Sequence, residues 1–357
     1  MDLGALGFKV RFLCLEESPV AQNLLGHPKV EVIPIGFRPR NYLDWKMRKE
    51  LRRQIDQGVN LIHTHQTSLL GSIVPWVWDQ PQVALIATRH IFNNHDKKDF
   101  FHRMIYRRVD SLIVMSQALR QNILKTHTIG EQEVKVVPLG LDFGAFNPNQ
   151  VDRNSQRKKW GILPDELLIG LVGRIDPAKG HATFIQAAAA LMKSLRPGEK
   201  LKFILVGEET LGNANHYQIE LKQMVAHFCL ENHFIFAGYH HNIPKVMRSL
   251  DIFVMPSRQE AFGLVAIEAM AMECPVIISR GGSSEEIIGN EEYGLSVNPE
   301  DAFDLQRQIQ FLVDHPEIRS HLGKRGRAHV QAHYNQQVRV AQTLNLYQKA
   351  LRRRQRA

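Results

Sequence analysis

Two loops of the sequence carry charged residues beside glycines, and the first of them suits a ligand with a diphosphate group. This loop is Leu171-Val-Gly-Arg-Ile-Asp-Pro-Ala-Lys-Gly180, and it follows an apolar run. Its cations Arg174 and Lys179 can neutralise two phosphoryl groups at once, and Gly173 permits a tight turn. The helix predicted to follow adds positive dipole potential at its N-terminus. An ordinary strand-to-helix loop with solvated charges is the alternative interpretation.

The second loop carries two acidic residues eight positions apart. Glu260 follows the apolar run Ile252–Met255, Gly263 lets backbone N–H groups approach a ligand, and Glu268 lies in a predicted helix. Eight helical residues would rise about 12 Å, which is too far for the paired carboxylates of a glycosidase. The spacing therefore predicts one carboxylate at each end of an extended ligand, such as a sugar and a ribose. Glu268 could be a surface residue, but its apolar neighbours favour a buried carboxylate.

Predicted strands and helices alternate in two series, and these elements must position the two loops. The predicted strands are Lys9–Leu15, Val30–Ile35, Leu61–His65, Val83–Thr88, Leu112–Met115 and Val134–Pro138, then Leu167–Val172, Phe203–Val206, Phe234–Phe236, Ile252–Met255, Val276–Ser279 and Leu295–Val297. The predicted helices are Tyr42–Gln57, Ser68–Trp78, Asp99–Val109 and Gln117–Thr126, then His181–Ser194, Tyr217–Phe228, Phe262–Met272 and Ala302–Val313, with a helical tail from Glu317 to Arg354. Strict alternation predicts parallel sheets with helices on both sides.

The fold class is therefore α/β, with two doubly wound, Rossmann-like domains facing a cleft in which the ligand binds. The segment Gly140–Trp160 is rich in Asn, Pro, Gly and charge, which predicts a linker. We expect an N-terminal domain at 1–145, a linker at 146–162 and a C-terminal, nucleotide-binding domain at 163–334. A last helix at 335–357 is expected to pack back on the N-terminal domain.

Composition and the absence of certain motifs exclude several classes of protein. Hydrophobic residues make up 44% and charged residues 23% of the 357, which excludes a wholly disordered chain. The three cysteines are widely separated and show no zinc spacing, so we expect no structural metal and a reducing, cytoplasmic setting. The N-terminus lacks the pattern of a secretory signal, and no apolar run is long enough for a membrane span.

The motifs, in their order along the chain, resemble those of the retaining nucleotide-sugar glycosyltransferases with the GT-B fold. More narrowly, they are similar to the glycogen-synthase-like group of glycosyltransferase family four. The resemblance rests on the Arg174 and Lys179 loop followed by Glu260-x7-Glu268, and on four further segments. These are Val137-Pro-Leu-Gly-Leu-Asp142, Leu205-Val-Gly207, Asp251-Ile-Phe-Val-Met-Pro-Ser257, and Cys274-Pro-Val-Ile-Ile-Ser-Arg-Gly-Gly282 followed by Glu285.

The resemblance implies a retaining, metal-independent transfer of a sugar from a nucleotide-sugar, which is a substrate, so no cofactor is expected. The catalytic residues that it implies are His90, Arg174, Lys179 and Glu260, and the donor-binding residues are Gly173, Phe262, Gly263, Leu264 and Glu268. Arg174 and Lys179 would hold the diphosphate, and Glu268 the ribose. The expected acceptor is a glycan or a lipid-linked molecule, in the synthesis of cell-envelope polysaccharide or lipopolysaccharide. The alternative function is a catalytically impaired subunit that binds sugar nucleotides.

Three histidines of the first domain lie in or just after predicted strands: His63 and His65 in Leu61–His65, and His90 after Val83–Thr88. The resemblance places His90 near the reaction centre, where it would position the donor sugar or relay charge, and a histidine at a strand's carboxyl end can act as a general acid or base. A structural loop histidine is the alternative. His63 and His65 have metal-like spacing, but no third ligand stands nearby in the sequence. We interpret them as structural or acceptor-side residues.

The chain has a formal net charge of +9, and part of it is concentrated in one segment. Arg38–Arg53 holds seven Lys and Arg against two Asp and Glu, interleaved with aromatic and apolar residues. A second basic cluster comprises Lys97, Lys98, Arg103, Arg107 and Arg108. These segments predict peripheral contact with an anionic membrane, on the cytoplasmic leaflet, although a solvated helix face is the alternative. No nucleic-acid-binding module is recognisable, so nucleic acid is not an expected partner.

The sequence departs from the family in one respect. Its members begin with a strand, a Gly-rich loop and a long helix, whereas here Met1 stands just before Leu6-Gly-Phe-Lys-Val-Arg-Phe-Leu-Cys14. We expect the N-terminal domain to lack its first strand and Gly-rich loop, which would leave an unpaired, apolar gap in its sheet. A wrong start, a truncation and a real loss are all open.

Overall fold

The computed structural model describes residues 7–40, 42–209 and 216–356, which fold into two compact units. Unit 1 comprises Met1–Met115, Leu119–Val137 and Gln336–Ala357, and unit 2 comprises Ser116–Ala118 and Pro138–Asn335. The last helix therefore belongs to the same unit as the first strands. Among the described helices, none is both long and apolar enough to cross a bilayer.

The first part of the chain alternates short strands with helices. Its strands are β1 (Val10–Leu15), β2 (Val30–Ile35), β3 (Leu61–Thr64), β4 (Ala84–Arg89), β5 (Ser111–Val114) and β6 (Val134–Val136). Its helices are α1 (Pro19–Leu24), α2 (Trp45–Asp56), α3 (Leu70–Val77), α4 (Phe100–Arg107) and α5 (Gln117–Thr126). A 3₁₀ turn at Thr67–Leu69 precedes α3, which is why the predicted helix at Ser68–Trp78 begins later than expected.

The strands of unit 1 form two parallel sheets. One has the order β1-β2 and the other the order β3-β4-β5-β6. The last helix of the chain, α14 (Gln336–Gln355), packs on β4 and contributes Leu346 and Tyr347 to a core with Ala84 and Ile86. The near-continuous apolar runs of the strands agree with this covering by helices.

A buried charged group also ties α14 to unit 1. Asp110 accepts hydrogen bonds from Arg354 at 2.8 Å and from the backbone N–H of Leu85 at 2.9 Å. Arg108 lies 3.6 Å from Asp110 and donates to backbone carbonyls, including that of Val83 at 2.7 Å. Since Arg108 is buried, its inclusion in the predicted basic surface cluster is wrong. Its guanidinium binds groups in the interior of unit 1 and does not face solvent.

Unit 2 begins with a second series of strands and helices. Its strands are β7 (Leu167–Val172), β8 (Leu201–Val206), β9 (Phe234–Gly238), β10 (Ile252–Met255), β11 (Val276–Ser279) and β12 (Leu295–Val297). Its helices are α6 (Arg153–Lys159), α7 (His181–Lys193), α8 (His216–His227), α9 (Ile243–Ser249), α10 (Leu264–Ala271), α11 (Ser284–Ile288), α12 (Ala302–Asp314) and α13 (Pro316–His333). Phe184, Phe203 and Phe234 pack together in its core.

All six strands of unit 2 form one parallel sheet of order β12-β11-β10-β7-β8-β9. The chain runs outward from β7 to β9 and then returns to place β10 on the other side of β7. Between β7 and β10 the direction of winding therefore reverses. Ligands of such sheets bind beyond the carboxyl ends of the strands at this point.

The segment predicted as a linker contains α6, which is anchored to unit 2. Asp251 accepts hydrogen bonds from Arg153 at 2.6 Å and from Arg157 at 2.9 Å, and its second oxygen also receives the backbone N–H of Leu168 at 2.8 Å. This helix was not predicted from the sequence. The helix carries few apolar residues because charged hydrogen bonds hold it.

The predicted α/β architecture of two parallel-sheet domains is confirmed. The expected loss of a first strand and Gly-rich loop concerns the chain before the described residues, and it stays a prediction.

Candidate active site

The two charged loops of the sequence lie side by side at the reversal point of the unit 2 sheet. One follows β7 and the other follows β10, and these strands pair with each other through Ile169 and Ile252. The loops also touch directly, since the backbone N–H of Arg258 donates to the carbonyl of Ala178 at 3.0 Å. The sheet therefore brings together residues that are far apart in the sequence.

Lys179 and Glu260 form the central contact between these loops. The Lys179 Nζ lies 2.6 Å from the Glu260 Oε1, and the hydroxyl of Ser257 donates to the same oxygen at 2.8 Å. The side chain of Lys179 is 31% exposed and that of Glu260 is 12% exposed. An ion pair that is only partly shielded keeps its charges accessible to a ligand that enters from the open side.

Two glycines allow the loops to approach so closely. Gly180 has a φ of +76°, and a Cβ at this position would collide with the carbonyl oxygen of Pro256. Gly282 has a φ of +63°, and a Cβ there would collide with the carbonyl oxygen of Glu260. That carbonyl also accepts the backbone N–H of Ser283 at 3.0 Å. Any side chain at either glycine would push a charged loop away from its position.

Two helix N-termini at the same edge of the sheet have a glycine as N-cap residue, which offers no capping side chain; in α7 the backbone N–H of Ala182 bonds to the Tyr217 hydroxyl instead. Helix α7 starts after Gly180, and α10 starts after Gly263, whose φ is +73°. The first N–H groups of a helix have no partner within the helix, and a side chain usually supplies one. Where none does, the N–H groups and the helix dipole favour an anion, such as a phosphate.

Arg174 lies on the first loop but not in the central ion pair. Its side chain is 56% exposed, and its guanidinium contacts Asp176 at 2.9 Å. Asp176 also accepts the backbone N–H of Ala178 at 2.9 Å, which fixes the turn before Lys179. The exposed position leaves Arg174 able to turn toward an anionic ligand.

The remaining predicted donor-binding residues lie directly after β7 and at the start of α10. Gly173 follows β7 and donates its N–H to the carbonyl of Val206 at 2.9 Å. Phe262 is buried, with its ring 5.8 Å from that of Tyr334, and Leu264 is the first residue of α10. Gly263, between them, precedes the helix.

Glu268 lies in α10, and its distance from Glu260 is not that of eight helical residues. The helix begins only at Leu264, so Glu268 is its fifth residue, about 6 Å along the axis from its start. The predicted rise of about 12 Å was wrong because Glu260 to Gly263 form a loop. Burial raises the pKa of Glu268 to about 7, and among the described residues no hydrogen-bond donor compensates. Such an unpaired, half-buried carboxylate is well suited to accept hydrogen bonds from a ligand.

His90 lies in unit 1, directly after β4. Its ring stacks on that of His65 with centroids 5.9 Å apart, and the His65 ring contacts that of His63 in a tilted arrangement with centroids 4.4 Å apart. The Tyr347 hydroxyl lies 2.6 Å from the His63 Nδ1, and the Thr88 hydroxyl lies 2.7 Å from the Nε2. Burial lowers the pKa of His63 to about 3, and burial and the nearby Arg339 also lower the pKa values of His65 and His90. All three imidazoles are therefore expected to be neutral near pH 7.

The structure thus brings together Lys179, Glu260 and the α10 N-terminus, with Arg174 at the rim. It also places three residues at this site that the sequence did not single out: Ser257, Gly282 and Ser283. The segments Asp251–Ser257 and Cys274–Gly282 contained two of them, but nothing local indicated that they hold Glu260. In the part of the chain that the structure describes, no cluster of three or more His, Cys, Asp or Glu could hold a metal ion.

Two family models match the chain in succession. Residues 2–144 match Glycosyltransferase Family 4, and residues 152–329 match Glycosyl transferases group 1. Among curated proteins, the D-inositol 3-phosphate glycosyltransferase of Arthrobacter sp. is 30% identical over 318 residues, 84% of this chain and 73% of that protein. The lipopolysaccharide core biosynthesis mannosyltransferase of Rhizobium meliloti is 32% identical over 222 residues, 60% of this chain and 59% of that protein.

Solved structures show the same fold. A glycosyltransferase from Rickettsia africae superposes with a TM-score of 0.87 at 18% identity, covering 98% of this chain and 92% of that chain. HepE from Anabaena, in complex with UDP and glucose, superposes with a TM-score of 0.79 at 19% identity, covering 94% of this chain and 99% of that chain. The chain therefore belongs to the group 1 glycosyltransferases, in glycosyltransferase family 4, and has the GT-B fold.

Proposed function

We propose that the chain is a retaining glycosyltransferase that moves a sugar from a nucleotide diphosphate donor to a glycan or lipid-linked acceptor. The observation that carries this proposal is the Lys179–Glu260 pair, which lies at the reversal point of the sheet beside two helix N-termini with glycine N-caps. A cation, a carboxylate and free backbone N–H groups are the set that a sugar diphosphate requires. The donor nucleotide-sugar is a substrate, and we propose no resident cofactor.

The diphosphate is the leaving group, so its charge increases as the bond to the sugar breaks. Lys179 and the N-termini of α7 and α10 stabilise this charge from fixed positions, and Arg174 turns from Asp176 to add a second cation. When the diphosphate binds, Lys179 exchanges part of its contact with Glu260 for a phosphate oxygen. These positive groups supply the charge stabilisation for which other enzymes use a divalent metal ion.

Glu260 then becomes free to accept hydrogen bonds from the hydroxyls of the donor sugar. The backbone at Phe262–Leu264 binds the sugar and phosphate, and Glu268 accepts hydrogen bonds from the ribose. A carboxylate without a protein donor loses less when it pairs with a diol, because no existing hydrogen bond has to break. The solved structure of HepE, which shares the fold, is a complex with UDP and glucose.

Retention of configuration follows from transfer on one face of the sugar. The bond between the anomeric carbon and the phosphate oxygen breaks, and the acceptor oxygen forms its bond to the same face. The acceptor proton passes to the departing phosphate, so no protein nucleophile is needed. His90, held neutral by burial and nearby cations, positions the donor sugar through a hydrogen bond.

Hydrolysis of the donor tests this function and separates it from the alternative. With EDTA in the buffer, the chain is incubated with a panel of UDP-, GDP- and ADP-sugars, and melting temperatures identify those that bind the native state. An enzyme slowly releases free sugar and nucleoside diphosphate, and proton NMR shows the anomer that is released first. A donor that raises the melting temperature but is never cleaved would favour the impaired, sugar-nucleotide-binding subunit.

The acceptor is proposed to belong to the cell envelope. The Rhizobium meliloti relative is named as a mannosyltransferase of lipopolysaccharide core biosynthesis, and we extend to this chain only the class of acceptor, polysaccharide or lipopolysaccharide. Many such acceptors are attached to lipids, so the enzyme must reach a membrane surface.

Unit 1 carries an exposed apolar surface suited to this task. The aromatic patch comprises the exposed residues Tyr42, Leu43, Trp45, Phe100 and Phe101. Phe100 is 81% exposed and Trp45 is 65% exposed, and the rings of Tyr42 and Phe101 lie 4.9 Å apart. Exposed aromatic side chains of this size favour the interface between lipid headgroups and acyl chains.

Cations accompany the aromatic patch on helices α2 and α4. Lys46, Arg48, Lys49, Arg103 and Arg107 are exposed, and the Arg48 guanidinium lies 4.9 Å from the ring centroid of Trp45. The apolar groups can enter the interface of a bilayer, and the basic groups can pair with its anionic headgroups. We therefore propose peripheral contact with the cytoplasmic leaflet, made by this face of unit 1.

Sedimentation with vesicles tests this contact. Binding to phosphatidylglycerol vesicles is expected, with much weaker binding to phosphatidylcholine. Each Lys near an anionic surface contributes about 1 kcal/mol, so Lys46→Gln with Lys49→Gln should weaken partitioning by about 30-fold. The matched control is Lys158→Gln with Lys159→Gln, which removes the same charge from exposed positions on α6. Equal loss in both double variants, or no binding to anionic vesicles, would contradict the proposal.

A further inference from the structure

A buried histidine in unit 2 directly follows the loop that carries Lys179. His181 is the first residue of α7 and is 1% exposed, and its ring meets that of Tyr217 edge-on, with centroids 6.3 Å apart. The other buried side chains of α7 are apolar, except that of Thr183. Because burial of a polar ring costs free energy, an apolar residue at position 181 would serve packing better. The imidazole is therefore expected to have a role besides packing.

The proton of this imidazole can be placed from a hydrogen bond to the backbone. The Nδ1 of His181 lies 3.3 Å from the carbonyl oxygen of Asp176. A carbonyl oxygen only accepts hydrogen bonds, so Nδ1 carries the proton and donates it. Burial lowers the pKa of His181 to about 4, so the ring is neutral near pH 7 and Nε2 has no proton. The ring therefore offers a single N–H donor, and this donor is directed at the backbone of the loop.

The carbonyl that accepts this hydrogen bond belongs to the turn that ends with Lys179. Asp176 is the N-cap residue of the 3₁₀ turn Pro177–Lys179, and its carbonyl also accepts the backbone N–H of Lys179 at 2.9 Å. A short 3₁₀ turn has few hydrogen bonds, and their geometry is poorer than that in an α-helix. A second donor on the same carbonyl stabilises the turn. It thereby fixes the point from which the Lys179 side chain reaches Glu260.

We propose that His181 is a positioning residue of the donor site, which holds the ammonium group of Lys179 in place through the carbonyl of Asp176. The proposal rests on the proposed function, in which Lys179 is a cation that stabilises the leaving diphosphate. Displacement of a catalytic group by about 1 Å can lower a rate by about 10²-fold. Loss of the His181 donor should therefore impair the chemical step more than it impairs binding of the donor.

Three substitutions separate the hydrogen bond from the packing of the ring. His181→Leu fills much of the space but donates nothing. His181→Asn puts an amide N–H near the place of Nδ1, whereas His181→Gln puts it near the place of Nε2. In hydrolysis of a donor from the nucleotide-sugar panel, His181→Leu and His181→Gln should lower kcat by at least about tenfold, with the donor KM within about threefold of the parent value. His181→Asn should keep kcat within about threefold, since it keeps the donor to Asp176.

A second histidine of unit 2 supplies the matched control. The Nδ1 of His233 lies 3.2 Å from the carbonyl oxygen of Leu201, the first residue of β8, so this bond lies at the amino end of the strand and away from the site. His233→Leu removes the same kind of hydrogen bond and should keep kcat within about twofold of the parent value. Melting temperatures of all variants are measured in parallel. A loss of kcat in His233→Leu equal to that in His181→Leu would overturn the proposal, because it would show a general effect of lowered stability.

Acetylation of lysines supplies a readout that needs no turnover. The full chain is treated with a limiting amount of acetic anhydride, and mass spectrometry compares acetylation of Lys179 with that of Lys158, an exposed residue of α6. In the parent chain the Lys179 ammonium is held 2.6 Å from Glu260. In His181→Leu and His181→Gln, Lys179 should react at least about threefold faster, the effect of losing roughly one net hydrogen bond. His181→Asn and His233→Leu should leave its reactivity unchanged.

The two assays fail in different ways. If the parent chain cleaves no donor, the proposed function fails, and acetylation still decides whether His181 holds Lys179. Unchanged Lys179 reactivity in both His181→Leu and His181→Gln would overturn the positioning role. Equal changes in His181→Asn and His181→Gln would overturn it as well, since packing of the ring, and not its N–H, would then be responsible. If His181→Leu does not fold, the comparison of these two amide variants carries the test.

Discussion

Replacement of Lys179 by alanine is expected to lower kcat for sugar transfer by at least about 10²-fold. The reason is that Lys179 is a fixed cation, held 2.6 Å from Glu260 on the neighbouring loop. Its ammonium group stabilises the negative charge that develops on the leaving diphosphate. Glu260→Ala and Arg174→Ala are expected to show losses of similar size. Initial rates with saturating donor measure the change.

The control for these variants lies on the same loop as Glu260. Arg258 is exposed and pairs with Glu300 at 2.7 Å, away from the Lys179 contact, so Arg258→Ala removes one cation without touching the proposed machinery. Its kcat should remain within about twofold of the parent value. Near-parental turnover in all three site variants would contradict the assignment of these two loops as the donor site.

Glu268→Gln is expected to have opposite effects on stability and on ligand binding. Burial raises the pKa of Glu268 from 4.5 to about 7, so the folded chain binds this proton more tightly than the unfolded chain does. The folded state is therefore penalised when Glu268 ionises, by about 3 kcal/mol once the pH exceeds the folded pKa. Glutamine has no proton to lose, and it should remove this penalty while weakening the binding of nucleoside diphosphates.

The sign of the pH dependence follows from the raised pKa. The stability associated with protonated Glu268 is fully present below about pH 4.5 and is lost as the pH rises to about 7. Urea denaturation should therefore show Glu268→Gln to be more stable than the parent at pH 8, by up to about 3 kcal/mol, and equal to it near pH 4.5. Glu220→Gln, an exposed residue of α8, is the matched control and should show no such pH-dependent difference. An equal advantage at both pH values would contradict the explanation.

The hydrophobic pattern of the sequence was sufficient to predict most of the strands and helices. The buried strands β4, β5, β7 and β10 are continuous apolar runs, and these were located to within one or two residues. The short helices α1, α9 and α11 were not predicted, because five to seven residues are too few to show a helical period. Helix α6 escaped for another reason, since its position is fixed by charged contacts with Asp251 across nearly 100 residues of sequence.

The candidate site was partly accessible from the sequence. Charged residues beside glycines, directly after apolar runs, indicated Lys179 and Glu260, and the sheet order explains how residues 81 apart in the sequence meet. No local pattern could show that Gly282 and Ser283 hold the Glu260 backbone, because that contact depends on the position of a third strand. The raised pKa of Glu268 likewise depends on surroundings that only the folded chain provides.

The division of unit 1 into separated segments has a consequence for protein synthesis. Tyr347 contacts His63, 284 residues earlier in the chain, and Arg354 contacts Asp110, 244 residues earlier. A ribosome delivers residues in order, so all of unit 2 is made while unit 1 still lacks α14. Unit 2 is almost continuous and can fold during translation, whereas the cover of β4 arrives only when α14 has been made. Unit 1 is therefore completed only after unit 2, and β4 in particular needs protection, for example by a chaperone, until α14 has been made.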